Sequence, residues 1–187
     1  LQLSIREPSD SVDSDLSDIA SKLSLENLFE MLKLADKMDS ATVYEETIKE
    51  ALKANSNHKL RSKLDDGIAD LMRGNKERAL TTFLEIIRED PAYGEAWNKA
   101  STTHYMMGDM QAALETAEKT LDLIPLHFQA LNGLGLIQYD TRRYKLSAQS
   151  FRRSLTLDPW SPVSARLCAC LDMLHGTDLE DEQGNDR

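Results

Sequence analysis

The sequence predicts an all-α chain, a row of stacked antiparallel helix hairpins, and three observations predict it. Prolines recur at a fixed step, Pro91, Pro125 and Pro159, each 34 residues from the last. Small residues keep the same step in two series, Gly67, Ser101 and Gly135 beside Ala79, Ala113 and Ser147, with partners 12 positions apart. Between these marks apolar residues fall at helical intervals, as in Leu114, Ala117, Leu121 and Ile124, or Tyr144, Ala148, Phe151 and Leu155.

Each mark has a physical reading. Proline lacks an amide hydrogen and collides with the preceding turn, so each one ends the second helix of its unit. Gly74 and Asn75, Gly108 and Asp109, and Thr141 and Arg142 mark the turns between the two helices. Antiparallel helices approach to about 8 Å only where facing side chains are small, which assigns the paired Gly, Ala and Ser positions to the contact. One hairpin cannot cover its own apolar face, so the units must stack.

Residues 1–24 are rich in Ser and Asp, with SDSVDSDLSD at the centre, and read as an acidic, mobile segment with little to bury. Residues 25–56 read as an N-terminal helical hairpin. Ser24 caps a first helix carrying Leu25, Leu28, Phe29, Leu32 and Leu34. A second, from about Ala41 to Ala54 after Ser40, carries Val43, Tyr44, Ile48, Ala51 and Leu52. This hairpin is expected to be a degenerate unit stacked on the first clear one, with Tyr44, Ile48 and Leu52 buried. Residues 57–176 hold three clear units and a capping helix. That helix starts at Ser161 and Pro162, covers the open end with Val163, Leu167, Ala169, Leu171 and Leu174, and stops at Gly176. Residues 177–187, TDLEDEQGNDR, read as an acidic disordered tail.

Residues 60–159 resemble three tetratricopeptide repeats. Trp97, Ser101, Gly108, Ala113 and Pro125 carry the resemblance in the second unit, and Leu131, Leu134, Gly135, Tyr144, Phe151 and Pro159 in the third. The first keeps Gly67, Gly74, Ala79, Phe83 and Pro91 but has Lys63 and Asp66 where large apolar residues are usual. His104, Gln138 and Ser147 are further departures. The resemblance implies a right-handed α-solenoid that binds proteins or peptides on its concave side. Members of the family that grip the acidic tails of heat-shock chaperones use matched Lys, Asn and Arg there. Leu64, Ile68, Lys99, Gln129 and Gly133 occupy the corresponding places here, so that clamp is missing.

The first helix of each unit lines the concave side, which selects Leu64, Ile68 and Leu71, then Glu95, Asn98, Thr102 and Tyr105, then Gln129, Asn132, Leu136 and Tyr139. Asn98, Thr102, Tyr105, Asn132, Leu136 and Tyr139 are the candidate peptide-binding residues. Asparagine both donates to and accepts from an extended backbone, and tyrosine offers apolar area with a polar tip. Against this stands plain packing of the tyrosines on the neighbouring unit. The apolar strip Leu64, Ile68 and Leu71 calls for a cover, either the N-terminal helices or a partner.

The net charge of −10 is uneven: residues 60–176 hold 14 basic and 15 acidic residues, so the excess lies toward the ends. Nucleic acid is therefore a poor first expectation. Within the third unit Arg142, Arg143, Lys145, Arg152 and Arg153 form a basic cluster on the outer side. A solvated face is the bland reading; an acidic protein partner or the chain's own tail comes next, and RNA last.

Nothing calls for catalysis, a metal or a cofactor. His58, His104, His127 and His175 are dispersed, Gly133 and Gly135 lack the rest of a phosphate loop, and Cys168 and Cys170 read as buried apolar filler. With 41% apolar residues and no apolar run approaching 18, the chain is expected to be soluble and without a membrane span. It begins at Leu1, which reads as a processed or trimmed product. The compartment is unassigned beyond an intracellular setting, though EAWNKA and PLHFQALNGLGLI also resemble bacterial-type repeat proteins, including those of plastids or mitochondria. Two functions compete: an adaptor or assembly factor holding a peptide or helix in the groove, and a constitutive subunit of a large complex docking through its outer face and termini.

Overall fold

The computed structural model describes residues 23–36 and 38–183, the side chains of Ser164 and of residues 175–183 excepted. These form α1 (Leu25–Leu34), α2 (Met38–Lys53), α3 (His58–Met72), α4 (Lys76–Glu89), α5 (Gly94–Met107), α6 (Met110–Leu123), α7 (Phe128–Asp140), α8 (Tyr144–Leu157) and α9 (Ser164–Gln183). The pairs α3/α4, α5/α6 and α7/α8 are antiparallel hairpins stacked in order, and α9 packs on α8. Contacts of α5 with both α3 and α7 place the first helices of the units side by side, and the stack is a right-handed α-solenoid.

Turn chemistry makes the hairpins. Gly74 and Gly108 adopt φ of 85° and 84°, and Arg142, the equivalent residue of the third unit, adopts 59°. In each turn the following amide reaches back to a carbonyl inside the first helix: Asn75 to Asp70 at 2.9 Å, Asp109 to His104 at 3.0 Å, Arg143 to Gln138 at 2.7 Å. Glycine suits this left-handed position because it has no Cβ to crowd the backbone, so the third turn is made against its residue's preference. Pro91, Pro125 and Pro159 lie just beyond the ends of α4, α6 and α8.

Inside each hairpin, size is matched across the contact. A Cβ added to Gly67 would lie 2.6 Å from Phe83 Cε1, and one added to Gly135 would lie 2.5 Å from Phe151 Cε1. Ser101 occupies the same place in the second unit, and there the facing aromatic becomes Ala117. Ser101 and Ser147 also satisfy themselves locally, donating to the carbonyls of Ala113 and Gly135 at 2.8 Å and 2.6 Å.

The N-terminal hairpin departs from expectation. Tyr44, Ile48 and Leu52 are buried, but their cluster includes Phe128 and packs against Ile124, Leu126, Leu157 and Trp160. The hairpin therefore lies along the turns that join successive units and does not extend the stack as a further repeat. Phe29 meets Phe128 edge-on at 6.2 Å, and Trp160 Nε1 donates to the Leu32 carbonyl at 3.2 Å. Asn55 donates to Asp90 Oδ2 at 2.9 Å, and Lys53 pairs with Asp65 at 2.8 Å. Burial, then the charge of Glu45 on α2, raises the Asp158 carboxyl above its ordinary range. Helix α2 starts earlier than expected, Ser40 lies inside it, and Leu34 is exposed.

Two expectations at the C-terminus also change. Ser161 and Pro162 lie in the turn before α9, which begins at Ser164. Gly176 does not stop the helix, which continues to Gln183. A glycine inside a helix costs only about 1 kcal/mol relative to alanine, and the Leu and Glu residues that follow favour helix. Val163 and Cys170 are buried with Ala148 and Phe151 and cap the stack, whereas Cys168 is exposed. The expected mobile segment lies, apart from Leu23 and Ser24, outside the described residues, as do residues 184–187. Among the described residues no helix is long and apolar enough to cross a membrane.

Candidate functional site

Helices α5 and α7 run side by side on the inward face, and a hollow of about 220 Å³ opens between them. Asn98, Thr102 and Tyr105 line it from α5, and Gln129, Asn132, Gly133 and Leu136 from α7. The structure thus brings five of the six candidate peptide-binding residues to one place. The sixth, Tyr139, lines an adjoining hollow of about 350 Å³ with Leu136, Asp140, Phe151 and Arg166.

These residues do not share one role. Asn98 is buried, and its amide donates to Glu95 Oε2 at 2.9 Å, so it supports the wall and is not free to read a ligand. Thr102 is exposed, its hydroxyl turned back to the Asn98 carbonyl at 3.1 Å. Tyr105 donates to Asp140 Oδ2 at 2.7 Å, and that bond, helped by burial, raises its phenol above the ordinary value. Tyr139, 34 residues on, meets Tyr144 edge-on at 5.4 Å, so the two equivalent tyrosines are held differently.

Asn132 is the exception. Its Nδ2 reaches Ser161 Oγ at 3.4 Å, while its Oδ1 is shut from water without a hydrogen-bond partner among the described residues. Next to it, Gly133 faces open space: a Cβ there would meet nothing within 4 Å.

Beneath the hollow lies a polar network at positions that residue spacing did not join. Glu95 accepts from His127 Nε2 at 2.7 Å and from Lys99 at 2.8 Å. The Ala130 amide donates to His127 Nδ1 at 3.3 Å, which leaves Nε2 as the ring nitrogen facing Glu95. Burial pushes the Glu95 carboxyl up, but the His127 hydrogen bond and the Lys99 charge outweigh it and hold it at about 2. The signal available in the sequence was the 34-residue step from Tyr93 to His127, which puts Glu95 and His127 at neighbouring inter-unit turns.

Leu64 faces the core and not the groove: it is buried with Phe83, Ala96 and Ala100, and Ile68 and Leu71 pack on the same cluster. That strip is covered by α4 and α5, and the N-terminal helices belong to a separate cluster. The basic residues are exposed but divided. Arg142, Arg143 and Lys145 line a hollow of about 620 Å³ against α9, whereas Arg153 lines another beside Pro125 and Leu126. None of Arg142, Arg143, Lys145, Arg152 and Arg153 has an ion-pair partner among the described residues.

Comparison with known proteins agrees with this architecture. The family profile for the tetratricopeptide repeat matches residues 64–125 and 99–162. A TPR repeat-containing protein of Rhizobium etli is 31% identical over 81 residues, covering 43% of this chain and 40% of that protein. The chain thus spans well under half the length of that relative. Among solved structures, the first TPR of Spaghetti, bound to the HSP90 peptide SRMEEVD, superposes with a TM-score of 0.62 at 13% identity, covering 64% of this chain and 96% of that one. The Sgt2 TPR domain of Aspergillus fumigatus gives 0.62 at 18% identity, over 67% and 85%. The MamA protein gives 0.57 at 17%, over 92% and 86%. At these identities the likeness establishes the fold.

Proposed function

Because the chain belongs to the tetratricopeptide repeat family, we propose that it is a non-catalytic protein-interaction module, an adaptor or assembly factor that holds a peptide or short helix between α5 and α7. The observation that carries this reading is Asn132 Oδ1, an acceptor buried beside an open hollow with no hydrogen bond. A buried polar atom left unpaired costs about 1–3 kcal/mol, and a turn of the Asn132 side chain toward the hollow would let a ligand N–H recover it. Leu136 and Tyr139 add apolar area, and Thr102 is accessible at the rim. The ligand of the Spaghetti domain is acidic, but Lys99 is committed to Glu95 in this chain, so the reading favours amide and apolar contacts over a carboxylate clamp.

Gentle affinity purification tests it. Gly133→Leu projects a side chain into the hollow from a position whose Cβ meets nothing within 4 Å. A partner that copurifies with the wild-type chain and is lost with this variant, at unchanged thermal stability, supports the groove; retention of the full partner set rejects it.

A second reading is favoured by a separate observation. Three exposed cations, Arg142, Arg143 and Lys145, lack partners among the described residues although the chain carries −10 overall. This suits a constitutive subunit docked through its outer face. Sedimentation of the chain from its native source separates the two: recovery only within a large particle favours the subunit, and a free monomer favours the adaptor.

A further inference from the structure

We propose that the hollow between the start of α8 and the middle of α9 is a docking groove for an acidic amphipathic segment of a partner protein, one that alternates carboxylates with aliphatic side chains. The proposal rests on the outer-face reading above and names the chemistry of its ligand.

The groove has two parts. Its floor is apolar: Leu146 on α8 and Met173 on α9 are 45% and 40% exposed, although each lines a hollow of about 620 Å³. Its rim is cationic: Arg142, Arg143 and Lys145 are exposed and unpaired among the described residues. Tyr144 forms a fixed wall, held edge-on against Tyr139 at 5.4 Å.

Charge decides the occupant. The residues lining the hollow include three cations and no carboxylate, so the groove is a local positive patch on a protein that carries −10 overall. Each exposed cation paired alone contributes little. Three around an apolar floor select a ligand that satisfies both, because guanidinium forks take carboxylates in a bidentate way while Leu146 and Met173 lose contact with water. Arg142 adds a further point. It occupies the left-handed turn position held by glycine in the other two units, so its side chain sits at the rim despite an unfavourable backbone.

The test is fluorescence anisotropy of a labelled 12-residue peptide alternating Glu and Leu, added to the full chain at low and moderate salt. Expected results are binding that weakens at least tenfold between the two salt conditions, and a loss of at least tenfold with R142E/R143E/K145E. Leu146→Asp should weaken binding several-fold, and Gly133→Leu should leave it unchanged. Far-ultraviolet circular dichroism of each variant checks that the helices remain. The proposal is overturned if a peptide with Lys in place of Glu binds equally well, or if single-stranded RNA binds more tightly and ignores Leu146→Asp. It is also overturned if trimming residues 1–22 raises peptide affinity, which would give the groove to the chain's own acidic end. Should the chain still enter a native particle through Arg142, Arg143 and Lys145 while no acidic peptide binds, the outer-face reading survives and the ligand assigned here does not.

Discussion

A Cβ placed on Gly135 would lie 2.5 Å from Phe151 Cε1, and this close approach is the contact on which the third hairpin is built. The aromatic ring fills the space that the missing side chain leaves. Gly135→Ala overpacks the contact and is expected to cost roughly 1–3 kcal/mol, and Phe151→Ala, which opens a cavity, roughly 3–5 kcal/mol. The second unit already shows the alternative, Ser101 facing Ala117. Gly135→Ala combined with Phe151→Ala should therefore cost at least 1 kcal/mol less than the two single changes added together. Urea denaturation of the three variants measures the coupling, and strict additivity would refute the matched-size account.

Arg142 sits at φ 59° where Gly74 and Gly108 hold 85° and 84°. Non-glycine residues in the left-handed region carry a penalty of about 1 kcal/mol or more, partly offset when glycine is introduced because it is freer in the unfolded chain. Arg142→Gly is expected to raise stability by about 0.5–1 kcal/mol, and Gly108→Ala to lower it by a similar amount. Thermal denaturation of both reads the sign directly.

The Glu95 carboxyl, held at about 2 by His127 and Lys99 despite burial, makes stability depend on pH in a defined direction. Its folded value lies below the ordinary carboxyl value of 4.5, so the folded state holds the proton less tightly. The stability this contributes is fully present above pH 4.5 and is lost as pH falls from there through about 2. Over that range Glu95→Gln should flatten the curve, while at pH 7 it should lower stability because the carboxylate no longer answers Lys99. Equal acid sensitivity in the two proteins would count against the network.

Gly133 offers a test of the inward face that does not depend on a known partner. It lies inside α7 and its missing Cβ faces open space. Gly133→Ala should therefore stabilise the chain by about 1 kcal/mol through helix propensity alone. A decrease would mean that something on the inward face already occupies that space.

Residue spacing made the hairpins legible because their causes are local: prolines beyond the second helices and small residues at facing positions leave marks every 34 residues. The third turn was placed at Thr141 and Arg142, but its left-handed backbone was hidden, since arginine carries no preference for positive φ. The groove candidates were legible as a face, but Asn98 and Asn132, equivalent in register, part company: Asn98 Nδ2 donates to Glu95, whereas Asn132 Nδ2 reaches Ser161 and its Oδ1 is left unpaired. The N-terminal hairpin was legible as helices and not in its placement. The period of its own apolar residues says that a face is buried, not what buries it, and the partners here are Phe128 and Trp160, far along the chain.

That placement makes a last prediction. Trp160 Nε1 donates to the Leu32 carbonyl at 3.2 Å, and Ile48 is fully buried in the cluster that includes Phe128. If this hairpin braces the inter-unit turns, it and the solenoid should unfold together. Trp160→Phe removes one hydrogen bond and is expected to cost about 1 kcal/mol, and Ile48→Ala about 2–5 kcal/mol, each within a single transition. Tryptophan fluorescence, which reports on Trp97 and Trp160, and circular dichroism at 222 nm should then give the same midpoint. A variant in which Ile48→Ala splits the transition, with Trp160 fluorescence changing first, would make the hairpin a separate lobe resting on the stack.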